Sequence, residues 1–326
     1  MTPDPSCLLM TDSHREALSG LMYAILKRKG FVVLTGDAGT GKTTLLRALI
    51  RSSKSARFSV ILNPTLSLGE FLELVLLDFG ITEVPESKAQ RIMKLQELLV
   101  KCHNDGTPPV LIVDEAHKLS PEILEEIRLL TNFETTERKL LQIVLAGQTE
   151  LSTVLNREDL RQLKQRIEIR LEVKPLSESD VGVYMKHRWE RAGGATALPF
   201  SPEAIAIIAT ASRGIPRLVN SICDNALLLA FGSDSRWITE QHAMQVVRDL
   251  DLGGNFDSFR WEKADHHPVT NGKSEPLPTF ENSSPLPTSF PVIERYLPPT
   301  PKPSLISRLM SRFSFSTVQT ARTDHE

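Results

Sequence analysis

The chain has 326 residues, of which 40% are hydrophobic, enough for one large or two medium domains. Its formal net charge of −2 excludes a protein that attracts nucleic acid or anionic membranes by its overall charge. Binding to either would need a local basic face. Its three cysteines show no CxxC or zinc spacing and fit a reducing cytoplasm. The first residues lack an export signal, and no run approaches the ~18 uninterrupted apolar residues of a transmembrane segment. We therefore expect a cytoplasmic protein.

Residues 1–174 alternate short apolar runs with amphipathic segments. We predict strands near 31–35, 57–62, 109–114, 140–146 and 167–173, and helices near 14–28, 42–52, 67–79, 88–104 and 121–133. Strands that alternate with helices indicate a parallel sheet covered on both faces, which is a three-layer αβα domain. Ligands bind at the carboxyl ends of the strands in such sheets.

A glycine-rich loop follows the first predicted strand and opens the next helix, with the pattern G-x-x-x-x-G-K-T. In this context backbone N–H groups converge on a phosphate, and the helix N-terminus adds partial positive charge. We predict that Lys42 reaches the β- and γ-phosphates of a nucleoside triphosphate and that the Thr43 hydroxyl ligates Mg²⁺. The alternative is a glycine-rich turn that happens to carry a lysine. The predicted nucleotide-binding residues are Gly36, Asp37, Ala38, Gly39, Thr40, Gly41, Lys42, Thr43 and Thr44.

A second motif occupies residues 109–117, Pro-Val-Leu-Ile-Val-Asp-Glu-Ala-His. Its continuous apolar run is typical of a central strand in a parallel sheet. Asp114 at the end of the run is placed to hold Mg²⁺ through its water shell, and Glu115 to polarise an attacking water as a general base. The alternative is a strand followed by two solvated acids. Together with the upstream loop, the pair favours hydrolysis over binding alone.

Residues 175–252 contain no convincing strand, and we predict four short helices there. Ser177, Ser201 and Thr239 carry N-capping signals for three of them, and the Gly-Ile-Pro-Arg break at 214–217 begins the remaining one. A bundle this small is typical of a helical lid that closes over a nucleotide.

Two arginines are candidates for contact with a triphosphate. Arg217 follows the Gly-x-Pro break, from where its guanidinium is placed to point at the γ-phosphate. Arg166 stands just before the last predicted strand, so we expect it on the far edge of the domain, within reach of a neighbouring subunit's phosphates as an arginine finger. The alternative for each is a solvated arginine on a helix surface, which we favour for Arg161.

Residues 253–326 change character, since ten of the chain's 21 prolines lie between Pro268 and Pro303. Apolar residues there recur with no period that would bury a core, so we predict a Pro/Ser-rich disordered tail. One exception is the stretch 304–315, which has an apolar helical face flanked by Arg308 and Arg312. It could dock on a protein partner, lie on a membrane surface, or remain a transient helix.

Together these motifs resemble an AAA+ ATPase of the ExeA/GspA type, which serves bacterial secretion and pilus assembly. The resemblance covers roughly residues 1–250 and includes Thr-Pro-Asp-Pro at 2–5, His-Arg-Glu-Ala-Leu at 14–18 and Arg-Lys-Gly-Phe-Val-Val-Leu-Thr-Gly at 28–36. It implies a Rossmann-like αβα domain with a helical lid, and ATP hydrolysis with Mg²⁺ at the interfaces of a homo-oligomeric ring or filament.

The resemblance also assigns roles to single residues. Gln148, just after the predicted strand 140–146, takes the position of the polar residue that senses the γ-phosphate, although it is longer than the asparagine common in AAA+ proteins. Arg217 takes the position of the lid sensor and Arg166 that of the finger.

Two functions remain open at this point. The first is an assembly motor or switch for a bacterial envelope system (secretion, pilus or exopolysaccharide), which would act in the cytoplasm or peripherally at the inner membrane. The second is a DNA-associated regulator of the transposition type, with DNA phosphates at basic clusters that the sequence places at 27–29 and 51–57. Solvated surface charge is the alternative for both clusters. A third, weaker function is a nucleotide-gated scaffold whose tail recruits a partner.

Overall fold

The computed structural model describes residues 8–62, 64–136, 138–194 and 197–252. All of these residues fall in one compact unit. The predicted tail at 253–326, with its amphipathic stretch at 304–315, lies outside the described residues.

One or two helices separate successive strands as far as the fifth strand, and the described residues after it, up to 252, form only helices and their connections. The strands are β1 Phe31–Thr35, β2 Arg57–Ile61, β3 Pro109–Val113, β4 Gln142–Ala146 and β5 Ile169–Glu172. The helices are α1 Asp12–Leu26, α2 Lys42–Ser52, α3 Leu68–Asp78, α4 Lys88–Asn104, α5 Pro121–Leu130, α6 Glu150–Leu155, α7 Arg161–Gln165, α8 Glu178–Arg191, α9 Pro202–Ser212, α10 Pro216–Gly232 and α11 Glu240–Asp249.

The five strands form one parallel sheet in the order β2-β3-β4-β1-β5. The predicted αβα fold class is therefore confirmed, and each strand lies within two residues of its predicted position. Strand β4 begins at Gln142 and not at 140. Leu140 and Leu141 are buried like strand residues but precede the hydrogen-bonded strand, so the apolar run is longer than the strand. Helices α6 and α7 were not predicted, because helices of five or six residues are too short to show a hydrophobic periodicity.

Helices cover both faces of this sheet. Along β1, Phe31 and Val33 point into a core that α3, α4, α5, α6 and α7 complete, whereas Val32 and Leu34 point into a second core completed by α1 and α2. Successive strand residues face opposite sides, so a strand buried on both faces must be apolar throughout. The ends of β1 and β3 are held rigidly as a result, and the loops that leave them start from fixed points.

Helices α8–α11 lie where the sequence predicted four helices, in 175–252. The Ser177 side chain accepts a hydrogen bond from the Asp180 backbone N–H, and Ser201 caps α9 in the same way. Thr239 caps α11, and the backbone N–H of Thr239 donates in return to His242 Nδ1.

The division into a domain at 1–174 and a lid at 175–252 stays a prediction. Within the described ranges, no helix is both long and apolar enough to cross a lipid bilayer.

Gly214, between α9 and α10, contacts the segment that follows β5, and we expect alanine there to be strongly destabilising. Its carbonyl accepts a hydrogen bond from the Leu176 N–H at 2.8 Å, its φ is +70°, and a Cβ would lie 1.9 Å from the Leu176 carbonyl oxygen. Gly106 is a matched control, with φ +72° and no atom within 4 Å of an added Cβ. By urea denaturation, Gly106→Ala should cost ~1 kcal/mol and Gly214→Ala ~3 kcal/mol or more. Equal losses in the two variants would contradict this contact.

Candidate nucleotide-binding site

The glycine-rich loop connects β1 to α2 at the carboxyl edge of the sheet. Gly41 precedes the first residue of α2 in a left-handed conformation, with φ 104°, and offers no side-chain cap to the helix. The first N–H groups of α2 are therefore open to an anion, and the helix dipole favours negative charge at this end. This arrangement fits the phosphates of a nucleotide.

Lys42, the first residue of α2, is 5% exposed and reaches back over the loop. Its Nζ donates to the carbonyl oxygens of Gly36 at 2.8 Å and Asp37 at 2.9 Å. Burial lowers the pKa of the Lys42 ammonium, while the negative charges of Glu115, Asp114 and Asp37 oppose that shift. Asp114 and Glu115, the acidic pair of the second motif, are thus close enough to Lys42 to act on its charge.

The loop and the end of β3 meet at a hydroxyl and a carboxylate. The Thr43 Oγ1 donates to Asp114 Oδ2 at 2.6 Å, and Asp114 Oδ1 accepts from the Glu115 backbone N–H at 2.9 Å. Asp114 is only 3% exposed, directly after the fully buried strand β3. Hydroxyl and carboxylate oxygens are the ligands that Mg²⁺ takes beside phosphates, so this pair fits that ion.

Glu115 has an unusual backbone, with φ 53° and ψ 33° in the left-handed region. Such a conformation costs of order 1–3 kcal/mol for a residue other than glycine and is concentrated at functional sites. Its Oε2 lies 3.5 Å from Gln148 Nε2, 3.6 Å from His117 Nε2 and 3.8 Å from Lys118 Nζ. The carboxylate is one-third exposed, so solvent water reaches it.

Gln148 and Glu115 come together because β4 lies directly beside β3 in the sheet. His117 joins the pair: its Nδ1 accepts from the Gln148 backbone N–H at 3.4 Å. In a neutral imidazole the other nitrogen then carries the proton, and that N–H faces Glu115. His117 was not among the residues predicted for the site, although its position two residues after Glu115 was a usable signal.

The first turn of α10 brings Arg217 to the loop. The Arg217 N–H lies 3.4 Å from the Gly39 carbonyl oxygen, and a Cβ added at Gly39 would stand 2.7 Å from Arg217 Cβ. Gly39 also has φ +88°, so glycine is needed there for both conformation and close approach. The positive charge of Arg217 contributes to the lowered pKa of Lys42. The structure therefore places Arg217 beside the same loop as Lys42.

Arg166 lies elsewhere. It follows α7 and precedes β5, at the amino edge of a parallel sheet whose carboxyl edge carries the loop. Its charge acts on Glu134: the Lys139 ammonium chiefly lowers the pKa of that carboxyl, and Arg166 adds to the shift. Arg161 is exposed. Neither arginine is part of its own chain's candidate site.

Comparison with known proteins agrees with this geometry. Residues 25–155, which include both motifs, match a family model described as an AAA domain. This segment of the chain is thus similar to an AAA domain. It is 39% identical over 264 residues to general secretion pathway protein A of Aeromonas hydrophila, a match that covers 80% of this chain and 48% of that protein. The resemblance to AAA+ proteins of this type is thus confirmed, and the chain spans about half the length of that relative.

The chain is also similar to two further proteins. The chain is 26% identical over 254 residues to ATP-dependent target DNA activator B of Escherichia phage Mu, covering 77% of this chain and 75% of that protein. The crystal structure of Cdc6p from Pyrobaculum aerophilum superposes with a TM-score of 0.60 at 19% identity, covering 74% of this chain and 68% of that one. At this identity the likeness shows the fold alone.

Proposed function

We propose that this chain is an AAA+ ATPase that binds ATP with Mg²⁺ and hydrolyses it at subunit interfaces. The observation that carries the proposal is the convergence of Lys42, the Thr43–Asp114 pair and Glu115 on one edge of the sheet. Phosphoryl transfer depends on positioning and charge stabilisation, which a lysine, a held cation and a water-polarising carboxylate together supply.

Each residue has a part in this mechanism. The Gly36–Thr44 segment binds the phosphates through backbone N–H groups, and Lys42 exchanges its two loop carbonyls for phosphate oxygens. Thr43 and Asp114 would hold Mg²⁺, which neutralises phosphate charge when bound. Glu115 takes a proton from the attacking water, with Gln148 and His117 fixing its carboxylate. Arg217 adds positive charge from the lid.

Wild-type protein tests this proposal directly. Purified chain with ATP and Mg²⁺, at concentrations that permit oligomers, should release phosphate, and EDTA should stop the reaction. Protein that neither retains ATP nor releases phosphate would refute the assignment.

We further propose that Arg166 acts on a neighbouring subunit's nucleotide in a homo-oligomeric ring or filament. Its place at the amino edge of the sheet, opposite its own loop, supports this role. Arg166→Ala should leave the affinity of the dilute, monomeric protein for ATP unchanged. It should remove the increase in ATPase rate per protomer that the wild type shows as protein concentration rises. Arg161→Ala, an exposed arginine of the same segment, is the matched control and should keep that part. A loss of ATP affinity in dilute Arg166→Ala would exclude a role in trans.

For the biological role we propose an assembly motor or switch of a bacterial envelope system such as secretion, a pilus or exopolysaccharide export. Its support is the 39% identity to general secretion pathway protein A. We also propose that the tail at 253–326 contacts a protein partner or a membrane surface. This part of the proposal is supported by the sequence alone.

A DNA-associated regulator is the second candidate, supported by the similarity to the phage Mu target DNA activator. The basic clusters are partly engaged within the protein: Lys29 pairs with Glu168 at 3.6 Å, Arg28 bonds to the Gly106 carbonyl, and Arg57 bonds to that of Phe79. ATPase rates with and without duplex DNA across a salt series separate the two roles. Stimulation that fades steeply with salt favours DNA, and indifference favours the envelope role.

A further inference from the structure

A buried histidine connects the first helix to the phosphate loop. His14, in the first turn of α1, is 2% exposed. Its Nε2 lies 3.1 Å from the Thr40 carbonyl oxygen, and its Nδ1 lies 2.6 Å from Thr11 Oγ1. Ser13 ties the same turn to the end of β5, because its hydroxyl accepts from the Lys174 N–H at 2.9 Å. The ring therefore stands on a backbone anchored to the sheet.

The partners of His14 determine which ring nitrogen carries the proton. A carbonyl oxygen only accepts, so Nε2 must donate to Thr40. In the neutral ring Nδ1 is then an acceptor, and the Thr11 hydroxyl donates to it. Burial lowers the pKa of His14, against a smaller opposing effect of the Thr40 carbonyl, so the neutral form is favoured. One tautomer satisfies every hydrogen bond of the ring.

The bond to Thr40 orients the peptide that leads into the helix. Thr40 is fully buried, and its hydroxyl donates to the Asp37 carbonyl at 2.9 Å. A trans peptide holds its C=O and the following N–H antiparallel, so a Thr40 carbonyl directed at His14 turns the Gly41 N–H away from it. A Cβ on Gly41 would stand 3.2 Å from Nε2, which shows how closely the ring underlies this peptide.

We propose that His14 is a positioning residue for nucleotide binding, whose Nε2–H holds the Thr40 carbonyl so that the N–H groups at the start of α2 face the phosphates of a nucleoside di- or triphosphate. This inference rests on the proposed function of the loop as a phosphate site. It concerns binding of the phosphates, not the hydrolytic step, because His14 contacts neither Asp114 nor Glu115 in the described structure.

The test compares two replacements at position 14. His14→Leu removes the donor, whereas His14→Gln retains an N–H at about the reach of Nε2. We expect His14→Leu to weaken binding of both ATP and ADP about tenfold, the loss of one hydrogen bond, with kcat at saturating ATP within twofold of wild type. His14→Gln should recover most of the affinity. Equal loss in both variants, or unchanged affinity in His14→Leu, would overturn the proposal.

A second pair of variants covers the case in which His14→Leu does not fold. Thr11→Val removes the hydroxyl that donates to Nδ1 and leaves only the Thr40 bond to hold the ring, so nucleotide affinity should fall about threefold. The same change also removes the cap of α1. Ser201→Ala removes the cap of α9 away from the loop and should keep full affinity. If Ser201→Ala loses affinity equally, Thr11 acts only through stability and the proposal fails.

A readout without nucleotide separates this inference from the proposed function. Amide hydrogen exchange of residues 36–44 in the nucleotide-free protein should speed up in His14→Leu and not in His14→Gln. If wild-type protein binds no ATP, the proposed function fails, and the exchange result still decides whether His14 orders the loop. If wild type binds ATP and exchange in His14→Leu is unchanged, only the role of His14 is refuted.

Discussion

Alanine in place of Lys42 is expected to abolish ATP binding while leaving the nucleotide-free protein folded. The ammonium is buried at the start of α2 and held by the carbonyls of Gly36 and Asp37, so it is already at the point where phosphate oxygens would replace them. Charged hydrogen bonds contribute ~1.5–3 kcal/mol each, so losing two raises the Kd for ATP by about 10²-fold or more. Titration with a fluorescent ATP analogue measures this.

Lys54→Ala is the control for the Lys42 experiment. Lys54 is exposed just beyond the end of α2, so its loss changes the net charge equally without touching the loop. Its Kd should stay within twofold of wild type. Circular dichroism should show an intact fold for both variants. Retained ATP affinity in folded Lys42→Ala would remove the basis for the phosphate site.

Glutamine in place of Glu115 should separate binding from hydrolysis. The amide keeps the size of the side chain and its contact with Gln148 but cannot take a proton from water, so turnover should fall by ~10²–10⁴-fold. ATP affinity should be unchanged or higher, and bound nucleotide recovered from the protein should be ATP rather than ADP. Single-turnover phosphate release and analysis of retained nucleotide measure both effects.

Glu122→Gln is the matched control for this second experiment. Glu122 is an exposed carboxylate in the first turn of α5, seven residues after Glu115. Turnover in this variant should stay within twofold. Were Glu115→Gln to hydrolyse ATP at the wild-type rate, the general base would have to be another group.

Local motifs could be interpreted from the sequence because they depend on adjacent residues. The loop from Gly36 to Thr43 is a continuous segment whose conformation and chemistry come from its own glycines, lysine and threonine. The carboxylates at 114 and 115 follow an apolar run that is typical of a buried strand, and β3 is buried along its whole length. Capping at Ser177 and Ser201 was similarly local.

Contacts between distant segments could not be predicted in the same way. The sequence order of the strands does not reveal that β4 lies between β3 and β1, which is what brings Gln148 to Glu115 and His117. The short helix α7 before Arg166 was also missed, since a single turn shows no hydrophobic period. Arg217 was expected near a triphosphate because it follows the Gly-x-Pro break, but its close approach to Gly39 depends on how α10 packs against the loop.

The amino-acid sequence by itself determined the fold class, the phosphate loop and the acidic pair, because hydrophobic periodicity and turn chemistry act over a few neighbouring residues. Only the tertiary structure decided that His14 supports Thr40 and that His117 contacts both Gln148 and Glu115. Such contacts join residues tens of positions apart, and the order in which strands and helices pack sets them.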